Sequence, residues 1–194
     1  MAEQYLPYFY QYILQFSELS KASWQAFSIL FSKQALPKHS YLASAGRVEH
    51  QIAFLAKGTV RSFYRDASGA EYTKTFHVPY SFIGAYSSIT TGQVNQIYVQ
   101  ALEDCIILAA DYRKVELLYD QFAGLERIAR KLAENYFMVK EQREIELVLL
   151  NASQRYRLFQ QEYPGLENRI PQYHIASYLG ISPTQLSRIR AKKI

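Results

Sequence analysis

The segment 172–194 reads QYHIASYLGISPTQLSRIRAKKI, two short helical patterns that meet at one glycine. Pro171 stands at the first position of the first pattern, Ile175, Ala176 and Leu179 share one face, and Gly180 supplies the positive φ with which a chain leaves a helix. In the second pattern Ser182 is placed to cap, Pro183 suits the first turn, and Leu186 and Ile189 point back at the first helix. Counted from Gln172, apolar residues fall at positions 4, 8, 10, 15 and 18, with Ala176 at 5 and Gly180 at 9. Five side chains make a miniature core, the alanine lets two helices cross closely, and the glycine makes the turn. That is the spacing of a helix-turn-helix. Thr184, Gln185, Ser187 and Arg188, following Ser182, then point outward near the start of the second helix, where side chains reach base edges in a major groove. Arg188 is the leading base reader, because a bidentate arginine–guanine contact discriminates by about 1–3 kcal/mol. Arg190, Lys192 and Lys193 suit phosphate, which gives affinity without sequence preference.

Charge agrees with this reading. The chain has 194 residues and a formal charge of +5. Residues 1–150 hold 15 Lys/Arg against 15 Asp/Glu, whereas residues 151–194 hold 7 against 2, so the whole excess lies in the last segment. A local basic region is the electrostatic footprint of a polyanion partner. At 49% hydrophobic and 20% charged, the chain has enough apolar residues for a real core. No apolar run approaches the roughly 20 residues that span a bilayer, and Glu3 stands where a signal peptide would be basic, so a cytoplasmic location is expected. The single cysteine, Cys105, excludes an internal disulfide, a CxxC zinc site and an iron–sulfur cluster held by cysteines of one chain.

Working outward, the first segment shows aromatic and aliphatic residues at helical spacing (Trp24, Phe27, Leu30, Phe31), with Ser20 placed to cap a helix near Lys21–Ser32. It lacks the basic polar face of a membrane-surface helix and is expected to pack in a core. From Lys38 to about Ala110 the period changes to two. QIAFLA, TVRSFYR, EYTKTFHV, NQIYVQA and CIILAA are strand-like runs separated by turn residues, which predicts an antiparallel jelly roll able to enclose a small ligand. After a short helix through YRKVELLYD, a long one begins near Gly124. Leu125, Ile128, Leu132, Tyr136 and Val139 form a stripe that Ile145, Val148 and Leu149 continue. About 26 residues span about 39 Å, more than one small domain buries, so a second copy of the helix is the expected partner.

The order β-roll, long helix, helix-turn-helix resembles the Crp/Fnr family of bacterial transcription regulators over nearly the whole chain. The stretches that carry the likeness are FLAKGTVRSFYRDASGAEYTKTF, FIGAYSSITTGQ and IASYLGISPTQLSRIR. The resemblance implies an α+β chain: a double-stranded β-helix (jelly-roll) sensor domain over 1–123, a dimerisation helix over 124–150 and a DNA-binding domain over 151–194. It also implies a homodimer on a pseudo-palindromic operator of double-stranded DNA. Its phosphate-binding cassette maps an effector pocket onto Tyr80, Gly84, Tyr86, Ser87, Ser88, Asn95, Gln96 and Tyr98. Members that bind cyclic nucleotides carry a glutamate and an Arg-Ser pair there. This chain has Ala85 at the first position and Asn95 and Gln96 at the others, and Lys140 and Glu141 replace a nucleotide-touching Thr-Ser pair in the long helix. Losing the arginine removes the charge-assisted contact to a buried phosphate, so cyclic AMP is not expected to bind in the usual mode. A neutral polar ligand and an effectorless, collapsed roll both remain compatible with these residues. Many members continue past the recognition helix into a β wing; a chain ending at Ile194 would rest its DNA affinity more heavily on that helix.

No cofactor, metal or catalytic constellation is expected. His39, His50, His77 and His174 have no paired spacing, and no Ser-His-Asp, Cys-His or glycine-rich phosphate loop stands out. The alternative to a regulator is a ligand-sensing signalling module whose terminal helices bind protein. Asn151 and Ala152 are the expected hinge between the long helix and the reading domain.

Overall fold

Alternation of apolar and polar residues gives strands that each present one face to a shared interior. The computed structural model describes residues 4–192. Numbered in chain order, β1 (Ser32–Leu36), β2 (Tyr41–Ala43), β3 (Gln51–Lys57), β4 (Val60–Arg65), β5 (Glu71–His77), β6 (Ser81–Ile83), β7 (Tyr98–Ala101) and β8 (Cys105–Asp111) form two sheets. One runs β1-β8-β3-β6 and the other β2-β7-β4-β5. Leu55, Val60, Val99 and Ile107 pack in the interior of this roll. The central strand β3 reads AFLA without alternation because both its faces are covered. Ala53 and Leu55 belong to the roll interior, while Phe54 and Ala56 join a second cluster built with the helices. The β3–β4 turn requires Gly58: φ is +96°, and a Cβ there would sit 2.9 Å from the Cys105 Cα and collide with its Sγ.

The second cluster is aromatic. α1 (Leu6–Leu14) and α2 (Lys21–Ser28), the latter capped by Ser20 Oγ accepting the Ser23 N–H at 3.1 Å, bury Phe9, Ile13 and Phe27. Phe9 lies 4.5 Å from Phe54 and 4.9 Å from Phe31, centroid to centroid. Each such ring contributes roughly 1.5–3 kcal/mol by burial, so core packing, as expected, holds this segment. The helix expected over Lys21–Ser32 stops at Ser28, however, and Ser32–Leu36 is strand β1. Its register, Ser32 opposite Ala109 and Leu36 opposite Cys105, completes the edge of the first sheet, and strand pairing overrides the helical pattern. α3 (Tyr86–Thr91) and the short α4 (Tyr112–Glu116) follow.

α5 (Ala123–Leu149) runs 27 residues, close to its expected bounds. Leu125 and Ile128 are buried in the aromatic cluster, with Leu132 packed against it. Beyond them the stripe faces solvent: Val139 is 52% exposed, Val148 82% and Leu149 73%. No helix among the described residues is long and apolar enough to cross a membrane.

The chain divides into two compact units. One comprises residues 1–62 and 76–135; the other comprises 63–75 and 136–194. The second holds the distal part of the β4–β5 hairpin, the last turns of α5, and α6 (Ala152–Glu162), α7 (Gln172–Leu179) and α8 (Pro183–Ala191). The expected hinge at Asn151–Ala152 is a closed capping box. Asn151 Oδ1 accepts the Gln154 N–H at 3.0 Å, and Gln154 Oε1 accepts the Asn151 N–H at 2.9 Å.

Candidate nucleic-acid interface

α7 and α8 are a helical pair joined at Gly180, whose φ of +68° and ψ of +36° are left-handed. Pro171 sits one position earlier than expected, at the cap of α7. Ile175, Ala176, Leu179 and Leu186 are fully buried and Ile189 is nearly so, while Ile181 is half-buried in the turn. Ser182 caps α8 through Oγ, which accepts the Gln185 N–H at 3.1 Å, and Pro183 opens the first turn. These contacts fix which side of α8 is free. Ser182, Thr184, Gln185, Ser187, Arg188, Arg190 and Lys192 are all exposed. Lys193 lies outside the described residues. The first turn of α8 carries no acidic residue, and Arg188 and Arg190 stand in the last turn. The exposed face is therefore hydroxyl- and amide-bearing at its start and basic in its last turn. Arg190 also lies near enough to Tyr156 for its charge to oppose the upward push that burial exerts on that phenol.

The residues that hold α7 in place come from far away in sequence. Ser177 bonds the hairpin strand β5, accepting the Thr73 N–H and donating to the Glu71 carbonyl. Tyr178 OH donates to Glu162 Oε2 at 3.1 Å, and the Arg143 guanidinium lies 3.9 Å from the centre of the Tyr178 ring while also bonding the Tyr178 carbonyl. Arg155 Nε donates to the Leu179 carbonyl at 3.1 Å. Burial pushes the Tyr178 phenol well above its ordinary range, with the nearby Tyr163 adding to the effect. None of these roles was apparent from sequence spacing. An arginine within a helical stretch and a tyrosine sixteen residues from its acid give no local signal.

The expected effector residues differ in burial and in bonding. Ser88 is buried, with Oγ donating to the Gln93 carbonyl at 2.6 Å and accepting the Glu49 N–H at 3.0 Å. Asn95 is buried too, its amide bonded to the backbone of Ile97 at 2.6 and 3.0 Å. Tyr80, Tyr86, Ser87 and Gln96 are exposed, and Gly84 and Tyr98 are half-buried. Tyr80 has a φ of +69°, and its ring stacks on Tyr8 at 5.2 Å. Ala85 is buried within the roll's apolar interior. The guanidinium buried in the roll belongs to Arg61, whose Nε and Nη2 donate to Gln100 Oε1 at 3.0 and 2.7 Å. Lys140 pairs with Glu144 at 3.8 Å on the exposed side of α5. A groove of about 490 Å³ also lies between α4 and α5, lined by Glu116, Leu117, Tyr119, Asp120, Ala123 and Glu126, none of them expected. No group of His, Cys, Asp and Glu among the described residues could hold a metal ion.

Residues 33–122 match the cyclic nucleotide-binding domain family. The chain is 25% identical over 175 residues to the anaerobic regulatory protein of Haemophilus influenzae, covering 84% of this chain and 66% of that protein's length. Among solved structures it is similar to FixK2 from Bradyrhizobium japonicum, with a TM-score of 0.73, 16% identity and coverage of 84% of this chain and 83% of that one. It is also similar to a regulator ascribed to the Crp/Fnr family from Eubacterium rectale, with a TM-score of 0.73, 14% identity and coverage of 92% and 85%. At such identities the structural likeness establishes the fold.

Proposed function

We propose, from the premise that this is a Crp/Fnr-type chain carrying a cyclic nucleotide-binding-type domain, that it is a transcription regulator whose α8 reads double-stranded DNA. The observation that carries the reading is the outward face of α8: a capped helix, anchored by Leu186 and Ile189, that leaves Thr184, Ser187 and Arg188 to solvent with no acid in its first turn. Such a helix can lie in a major groove with Arg188 at a guanine and Arg190 and Lys192 at phosphates. The solvent-facing stripe of α5 supports a homodimer, which removes Val139, Val148 and Leu149 from water together. Two recognition helices about 34 Å apart then call for a pseudo-palindromic operator.

The roll supports control by something other than cyclic AMP, or no small-molecule control at all. Ala85 is packed in the apolar interior, and Asn95 is bonded to its own turn. Neither offers the carboxylate or the cation that a ribose and a cyclic phosphate would need. A cytoplasmic, DNA-associated dimer follows from this reading.

Selection of bound sites from random DNA tests it. A twofold-symmetric consensus is expected. Arg188→Ala should lose about 1–3 kcal/mol of discrimination, chiefly at one base pair per half-site. Arg190→Ala and Lys192→Ala should each lower the salt slope by about one while leaving the consensus intact. Terminal helices that dock on protein instead would enrich no DNA.

A further inference from the structure

A single side chain joins three helix ends. Arg155, in the first turn of α6, donates through Nε to the carbonyl of Leu179, the last residue of α7, at 3.1 Å. Its Nη1 donates to the carbonyls of Leu150 and, at 3.4 Å, Leu147, both at the C-terminal end of α5. The last carbonyls of a helix have no intrahelical donor and carry the negative end of its dipole, so one planar cation is well matched to two such ends at once. Lysine, a point charge with no fork, cannot reproduce those directions. Immediately before α6, the Asn151–Gln154 capping box closes the turn through which the chain passes from α5 to α6.

We infer that Arg155 is a positioning residue that fastens the α7–α8 reading head to the last turns of α5, so that residues 136–149 and 152–192 move as one piece. The Asn151–Ala152 junction is therefore a fixed elbow. This rests on the DNA-binding reading for its consequence: if α5 pairs with a second copy, the elbow sets the separation and tilt of the two recognition helices. Arg143 makes a lesser version of the contact. It reaches the Tyr178 carbonyl and ring, but its Nε is a buried donor without an acceptor among the described residues.

A fixed elbow has a signature that mere stability lacks. Adding one base pair between half-sites rotates one by about 35° and moves it by about 3.4 Å, which a rigid pair of heads cannot follow, so the full-length protein should lose about 10–100-fold in affinity as the second head disengages. Arg155→Lys keeps the positive charge and Arg155→Ala removes it. In both, operators lengthened or shortened by one base pair should bind within about twofold of the best spacing, with the half-site consensus unchanged. Residual dipolar couplings of the wild-type chain, measured without DNA, should fit one alignment tensor across 136–149 and 152–192, and Arg155→Ala should need two. Two tensors in the wild type, or wild-type spacing discrimination in both variants, would overturn the inference while leaving operator binding in place. If no DNA is enriched at all, the regulator reading falls, and the couplings alone decide whether the elbow is fixed.

Discussion

The hydroxyl of Ser177 closes the open edge of strand β5 at Thr73, accepting that residue's N–H at 2.8 Å and donating to the Glu71 carbonyl two residues earlier at 2.7 Å. β5 is the outermost strand of its sheet, so these backbone groups have no neighbouring strand to pair with. A side chain from α7 takes that place. The hairpin tip is thereby part of the C-terminal unit in bonding as well as in compactness.

Replacing Ser177 with alanine deletes both bonds and leaves two half-buried backbone groups without their partner. The expected cost is about 1–2 kcal/mol in the stability of the C-terminal unit. Hydrogen exchange at the Thr73 amide should quicken in step. An unchanged exchange rate would mean that the serine bond is not maintained in solution.

Leu186 is fully buried between α7 and α8. Leu186→Ala should destabilise the α7–α8 pair by about 2–5 kcal/mol through lost transfer energy and the residual cavity. The single tryptophan, Trp24, reports on the other unit, packed at 5.5 Å from Phe9. Its fluorescence should keep the wild-type unfolding midpoint while the helical signal of 152–192 melts early. Coincident loss of both signals would show that the two units unfold together.

Cyclic AMP should produce no binding heat when titrated into the purified chain at micromolar concentration. The physical reason is packing as much as charge. Ala85 is inside the roll, and Asn95 holds its turn through two bonds to Ile97. Saturable heat with unit stoichiometry would contradict the assignment of this roll as unable to bind the nucleotide.

Tyr119 gives an alkaline signature. Burial raises its phenol from an ordinary 10.0 to about 12, because the phenolate would be held away from water. The folded state therefore keeps a proton that the unfolded state loses. The contribution is intact below pH 10, falls as pH climbs towards 12, and makes alkali destabilising in that window. Ultraviolet absorbance of phenolate against pH, compared with Tyr119→Phe, should show one phenol ionising near pH 12 in the wild type alone. A Tyr119 that ionised near 10 would remove the effect.

Much of this fold is legible locally. Gly180, Ser182 and Pro183 announce a turn, a cap and a first helical position by chemistry that needs no distant neighbour, and all three stand as read. β3, β4, β5, β7 and β8 follow because short β-rich runs are set off by turn residues, whereas the three residues of β6 are too few to show a pattern. β1 escapes the same logic. SKQAL has four exposed residues and one buried, so nothing in its own pattern distinguishes it from the helix before it until β8 supplies its partner. The reading face of α8 is likewise visible in sequence, because Leu186 and Ile189 fix which way the rest must point. The supports behind it are not. Ser177 meets Glu71 and Thr73 across more than a hundred residues, and Arg155 meets Leu179 through a carbonyl, which has no sequence identity at all. The effector residues illustrate the converse: a resemblance mapped them to one pocket, but hydrogen bonds within the 86–97 turn hold Ser88 and Asn95 to the chain itself.

Gly58 and Cys105 together have a practical consequence. The sole thiol is pressed against the β3–β4 turn, bonded to the Thr59 and Glu103 carbonyls and raised in pKa by burial, so in the native chain it is neither reachable nor nucleophilic. A disulfide-exchange reagent can react there only after the roll opens. The chain thus carries its own clock: the rate of thiol modification in dilute buffer measures how often the β-roll breathes, and a compound that occupies the roll would be recognised by slowing it.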